Sequence, residues 1–129
     1  MEKTILIYHF SGEEESALLT LAARKGIRVI PVPPALYERR LSELPAASSA
    51  PAAGGGEEFA ARMMVFRGFE EGEFDLLLEL LRRNKIGLGS LKAVMTPTNA
   101  RWTSRELYRE LEREREAFFK LRTSRLPGK

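Results

Sequence analysis

Cysteine and glutamine are both missing from this 129-residue chain, and histidine and tryptophan occur once each. Without cysteine there is no disulfide scaffold, no zinc ribbon and no thiol nucleophile. With one histidine, any metal site would depend on carboxylates, and the acidic run Glu13–Glu15 is accounted for by the positive end of a helix dipole. Neither a cofactor nor a metal is expected. No apolar run reaches the roughly 18 residues that span a bilayer. The start, "MEKTILIYHF", carries an acid and a base and passes straight into a strand pattern, unlike a signal peptide. A cytoplasmic protein without a membrane segment is the expectation. GxGxxG and Walker loops are absent, so nothing points to a nucleotide. Only two asparagines accompany abundant Arg and Glu, a composition that suits a hot-adapted source.

What is present suits one globular domain, with 43% apolar residues. The net charge of +3 is too small to argue for nucleic acid, and the excess of bases lies in the last helix and tail. "PAASSAPAAGGGEE", residues 45–58, has nothing to bury and reads as a flexible linker. It separates a first repeat, 1–44, from a second repeat with a C-terminal helix, 59–129. "ILIYHFSGEEESALLTLAARKGI" lies over "MVFRGFEEGEFDLLLELLRRNKI" without a gap, bringing Ile7 onto Phe66 and Glu14 onto Glu73. After "GLGSL", "VIPVPPA" meets "AVMTPTN", with Pro33 on Pro97. Each copy then ends in a charged amphipathic segment, "LYERRLSEL" or "SRELYREL".

Each copy reads strand, helix, strand, helix. "ILIYHF" and "MMVFRGF" are short apolar runs stopped by glycine, apolar on both faces as central strands should be. The helices between have acids in the first turn and bases in the last, and Gly26 takes the C′ position of the first. Pro31 puts the second strand at an edge. The expected fold class is therefore α/β: a duplicated strand–helix–strand–helix unit forming a small four-stranded sheet flanked by helices. A parallel sheet of order 2-1-3-4 with helices on both faces is favoured. The alternative is a ferredoxin-like α+β sheet with extra helices, which the linker would also permit.

"VMTPTNARWTSRELYREL" holds the chain's lone tryptophan. Thr103 and Glu106 have capping-box spacing, with Trp102 and Leu107 placed for a hydrophobic staple, and Thr98 or Asn99 can close a local turn. Ser11 and Glu14 have the same box spacing on the first helix. In a parallel sheet the strand ends would gather His9, Ser11, Arg67, Thr96, Thr98, Asn99 and Arg101 at one edge. Hydroxyls, an amide, guanidinium groups and helix N-termini there make a candidate pocket for a small anion. In an antiparallel arrangement His9 and Arg67 would separate. No catalytic constellation stands out, so the reading is a non-enzymatic binding or regulatory module. The alternatives are a small enzyme using His9 as acid or base, and a weak nucleic-acid binder using the basic tail. Glutamates interleaved on the last helix argue against nucleic acid. Phe118 and Phe119, past the end of the core, suit a homodimer contact.

The segment "LKAVMTPTNARWTSRELYREL", preceded by "MMVFRGF" and "FDLLLELLRRNKIG", resembles small bacterial proteins grouped as domain-of-unknown-function family 3783. The resemblance runs from Met63 to about Phe119. It implies a small cytoplasmic bacterial protein with Thr96, Pro97, Thr98, Asn99 and Trp102 as its signature, and it implies no activity.

Overall fold

The computed structural model describes residues 2–44 and 61–124. The linker expected over 45–58 lies outside the described residues, as do residues 125–129 of the tail and the side chains of Phe118 and Phe119. The elements are β1 (Thr4–Tyr8), α1 (Gly12–Lys25), β2 (Arg28–Pro31), β3 (Met63–Arg67), α2 (Glu71–Arg83), β4 (Leu91–Val94) and α3 (Ser104–Ser124). The strands form one four-stranded sheet of order β2-β1-β3-β4. All five residues of β1 and the first four of β3 are buried, which is why both runs are apolar throughout. β2, with Pro31, and β4 are the edges.

The order is the one expected, but the direction is not. β1 and β2 are parallel, β3 and β4 are parallel, and the two central strands run antiparallel. This corrects the preference for an all-parallel sheet. The result is a mixed α/β sheet in which each unit keeps its own parallel crossover. The handedness of those crossovers decides where the helices go. In an all-parallel sheet the two units step outward in opposite directions, so their helices would fall on opposite faces. Reversing the second unit brings α1 and α2 onto the same face. There Leu18 of α1 and Leu77 and Leu81 of α2 pack with Ile5, Ile7, Met64 and Phe66. The other face is covered by the segment after β2 and by α3, through Leu36, Tyr37, Leu41, Leu44 and Leu107 against Leu6, Tyr8, Met63 and Val65. A fully buried Leu is worth roughly 1.5–3 kcal/mol over an exposed one, so both layers contribute.

The two units are related by an approximate two-fold axis perpendicular to the sheet. Leu6 sits opposite Val65, and these are equivalent residues in the gapless overlay. Arg28 N–H donates to Lys3 O and Leu91 N–H to Arg62 O; Val32 N–H donates to Ile7 O and Met95 N–H to Phe66 O. Ile27 N–H bonds Ala22 O as Ile86 N–H bonds Leu81 O. On the far face Arg40 bridges its own equivalent, Thr103, across the same axis.

These bonds correct the second half of the overlay by one residue. Ile30 corresponds to Ala93 and Pro34 to Pro97, because β1 Leu6 pairs Ile30 where its equivalent Val65 pairs Ala93. Matching Pro33 to Pro97 instead sets buried Ile30 on Val94, which is 42% exposed. A one-residue slip turns every side chain to the wrong face. Between helix and edge strand the two units then differ by a four-residue insertion, Gly87–Ser90.

Two local expectations also change. "LYERRLSEL" is not a regular helix: it forms short 3-10 turns at Pro34–Leu36 and Leu41–Glu43. Arg40 between them is extended because its backbone pairs with Thr103, and Leu41 N–H donates to Trp102 O at 2.8 Å. Ser11 precedes α1 without a side-chain cap, so the expected Ser11–Glu14 box is not formed. Glu14 points elsewhere, into a contact described below. The box at Thr103 and Glu106 is present, with both reciprocal bonds at 3.2 and 2.9 Å. Trp102 packs on the same core layer as buried Leu107, as a staple should.

Candidate functional site

The antiparallel central pair divides the residues that the sequence would gather. Thr4 at the start of β1 faces Arg67 at the end of β3, so His9 and Ser11 lie at one end of the sheet. Arg67 and the Thr96–Arg101 turn lie at the other, where Met95 N–H bonds Phe66 O. The structure brings Arg67 near Thr96 along adjacent strand ends, and it does not bring His9 or Ser11 to them.

Within the turn the polar groups satisfy one another. Asn99 is 9% exposed; its Oδ1 accepts Thr96 N–H at 2.8 Å and its Nδ2 donates to Val94 O at 3.0 Å. Thr96 Oγ1 in turn accepts Asn99 N–H at 3.1 Å. Asn99 thus ends β4 and starts the 3-10 turn Asn99–Arg101 that feeds α3. Thr98 and Arg101 are exposed. A hollow of about 270 Å³ lies beside Thr96, Thr98, Asn99 and Trp102, and Glu110 and Glu114 form part of its wall. Two carboxylates there oppose an anion.

At the opposite end, His9 holds a left-handed backbone (φ 65°) where the second unit has Gly68 (φ 85°). Its Nε2 lies 3.2 Å from the Tyr37 hydroxyl, and the two rings meet edge to face. Tyr37 packs against Tyr8, ring centroids 5.7 Å apart, and Tyr8 OH shares a buried 2.6 Å hydrogen bond with Ser104 Oγ. Burial raises the Tyr8 phenol far above its ordinary pKa, the Ser104 bond opposes this, and Tyr37 adds to it. These side chains knit the β1 end to α3. Sequence reading missed Tyr8, Tyr37 and Ser104 because no local pattern links residues so far apart in the chain.

The most distinctive geometry involves a pair of clefts on the face carrying α1 and α2. The base before each central strand reaches the first turn of the other unit's helix: Lys3 pairs with Glu73, and its equivalent Arg62 pairs with Glu14. An aromatic ring lies beside each base, Phe69 in the first cleft and Phe10 in the second, where Arg62 sits 4.5 Å above the ring. The second cleft is closed by the inserted Gly87–Ser90 loop. Gly87 N–H donates to Glu14 Oε2 at 2.7 Å, Arg62 Nη1 donates to Leu88 O at 3.3 Å, and Lys92 Nζ donates to Gly87 O at 2.8 Å. Burial would raise the Glu14 carboxyl, but the Arg62 and Gly87 bonds outweigh it and hold its pKa below the usual range. Partial burial, then the nearby Arg62 charge, lowers the Lys92 ammonium.

The first cleft has no such loop and is open, with a volume of about 170 Å³. Its wall is apolar, from Ile27, Phe69, Leu76, Leu77 and Leu80, and Lys3, Lys25 and Glu73 supply charge. The burial of equivalent residues records the difference: Phe10 and Ile86 are 8% and 3% exposed, whereas Phe69 and Ile27 are only half-buried. Leu76 on the rim is 74% exposed. The sequence signal for this cleft is that the first unit is four residues shorter between helix and edge strand. Among the described residues, no three His, Asp or Glu side chains converge to hold a metal ion, and no helix is long and apolar enough to cross a membrane.

No curated protein and no solved structure matches the chain. The strand–helix–strand part of the first unit, Thr4 to Pro31, has the same arrangement as that of the second. Residues 62–118, from the Arg62 that closes the second cleft to the body of α3, match the family model described as Domain of unknown function (DUF3783), so the second unit is similar to that family.

Proposed function

We propose that the protein is a non-enzymatic binding module of the cytoplasm and that its ligand site is the open first cleft. The carrying observation is the contrast between the two equivalent clefts: one is filled by the chain's own loop, and the other leaves an apolar wall and an exposed Leu76 beside a Lys3–Glu73 pair. A concave apolar wall with a few convergent polar groups is the usual form of a binding site. The cysteine-free composition supports the compartment.

The test is to insert Gly-Leu-Gly-Ser between Ile27 and Arg28, giving the first unit the loop of the second. Wild type and this closed variant are compared in a thermal-shift screen against short amphiphiles, carboxylates and peptides. A ligand at 100 times its Kd adds about 2.7 kcal/mol, a shift easily read in a small domain. Hits that vanish in the closed variant support the cleft. A screen giving the same shifts with both proteins rejects it.

A second reading, an enzyme using His9, draws on one observation: a non-glycine side chain is kept at a left-handed position that its equivalent gives to glycine. Such strain gathers at functional sites. His9→Gly relieves the backbone and removes the imidazole. An activity that survives this change excludes His9 as acid or base.

A further inference from the structure

We infer that the occupant of the open cleft is a turn of another polypeptide, glycine followed by an apolar residue, which gives a backbone N–H to the Glu73 carboxylate and its side chain to the wall at Leu76 and Phe69. This rests on reading the cleft as the binding site. The closed cleft supplies the backbone chemistry, because the same surface there already holds a peptide turn; Leu88 stays 51% exposed there, and the apolar residue is called for instead by the open cleft, whose rim Leu76 is 74% exposed. Gly87 N–H bonds Glu14, and its carbonyl accepts from Lys92 Nζ and from Ser90 Oγ at 2.6 Å. A side chain at Gly87 is excluded: its φ is 74°, and a Cβ would lie 2.6 Å from Met64 Sδ. An occupant repeating that left-handed turn favours glycine at the point of closest approach.

Glu73 and Glu14 stand in the two states that binding would interconvert. Unoccupied, Glu73 uses Oε1 to accept its own Glu70 N–H at 3.2 Å and gives its other oxygen to Lys3. In the occupied counterpart Glu14 keeps the base, Arg62, and has left the helix cap for the N–H of Gly87. The occupant thus exchanges a charge-assisted bond of 3.2 Å within the helix start for a shorter one, 2.7 Å in the closed cleft. This selects against the other ligands that the wall would admit. A fatty acid or a phosphate brings an acceptor to the Glu73 carboxylate, and the cavity of about 170 Å³ holds one side chain rather than an acyl tail. Lys25 on the rim offers an ammonium to the turn's carbonyl, the part Lys92 plays in the closed cleft. A second copy is a poor occupant, because its Gly87 is already buried against Glu14 in its own cleft.

The probe is a fluorescein-labelled octapeptide with the sequence of residues 85–92, KIGLGSLK, titrated against the full chain by anisotropy and by amide chemical shifts. We expect saturable binding that moves the Glu70 and Glu73 amides. Binding should fall about tenfold or more when the first peptide glycine is N-methylated, since a hydrogen bond to a charged group is worth roughly 1.5–3 kcal/mol. Leu76→Asp, on an exposed rim that cannot unfold the core, should weaken it likewise, and the Gly-Leu-Gly-Ser insertion variant should not bind. An N-methylated peptide that binds as well as the parent overturns the inference. If no peptide binds at millimolar concentration while a small amphiphile does so in wild type and not in the insertion variant, the site stands and the occupant class is wrong. If neither binds, both readings fail. Concentration-dependent dimerisation abolished by Leu88→Asp would make a second copy the occupant and also overturn the inference.

Discussion

The two units solve one folding problem with different side chains, and their differences separate what the fold requires from what it tolerates. At the turn after the edge strand, the first unit places Leu36 and buries it, while the second places Asn99 and spends the same position on hydrogen bonds. After the helix, Gly26 and Lys85 share one left-handed conformation. After the central strand, His9 and Gly68 do the same. The conformation is fixed by the fold in each case, and the residue type is not. On the face carrying α1 and α2, the four-residue insertion changes the surface by covering one of two equivalent clefts.

The turn gives the largest expected effect. Asn99→Leu copies the first unit into the second, but the second has no pocket shaped for it, and Thr96 N–H and Val94 O lose their partner. Losing buried bonds of this kind costs about 3 kcal/mol. Urea unfolding should show a lower midpoint at unchanged slope. A cost below about 1 kcal/mol would mean that the turn is held by Trp102 packing instead.

Gly87→Ala comes next. Positive φ alone costs a side chain roughly 1–2 kcal/mol, and Met64 Sδ stands in the way of the new Cβ. The expected loss is about 2 kcal/mol, larger than for Gly26→Ala, where the new Cβ meets open space. Equal losses would show that the loop is not seated on the cleft. The reverse experiment is Lys85→Gly, which gives the second helix the C′ residue of the first. It should stabilise by about 1 kcal/mol, read as a rise in Tm.

Much of this was legible locally. Strand and helix positions, the capping box at Thr103, the staple at Trp102 and the gapless overlay all follow from periodicities of a few residues. The direction of the second unit was not legible, because strands apolar on both faces carry no record of which way their neighbour runs. The anion pocket drew on that direction, and the antiparallel pair separates His9 and Ser11 from Arg67. Identity misled where geometry was needed: the visible Pro33–Pro97 match is one residue out of register, and the backbone bonds of Val32 and Met95 correct it. Ser11 and Glu14 have the spacing of a box, yet Glu14 finds better partners in Arg62 and Gly87, residues that no window around α1 contains.

That last substitution also makes the smallest of the expected differences measurable, through pH. Folding holds both Glu14 and Glu73 below the ordinary carboxylate range: Glu73 by its bonds to Lys3 and Glu70, and Glu14 by Arg62 and Gly87 acting against its burial. A carboxyl depressed by folding stabilises the fold above its unfolded pKa, about 4.3, and the contribution disappears as pH falls through the folded value. Stability should therefore decline on acidification below about pH 5, as both groups take up protons. Replacing either glutamate by glutamine removes its share of that slope, and wild type and variant should converge at low pH. The Glu14 side chain is 27% exposed and closed over by the loop, while Glu73 is 41% exposed beside the open cleft. Solvent screens the second pair more than the first. Glu14→Gln should consequently flatten the acid limb of the stability curve more than Glu73→Gln. Inserting the Gly-Leu-Gly-Ser loop into the first unit should bring the two variants together, because it gives Glu73 the shielding that only Glu14 now has.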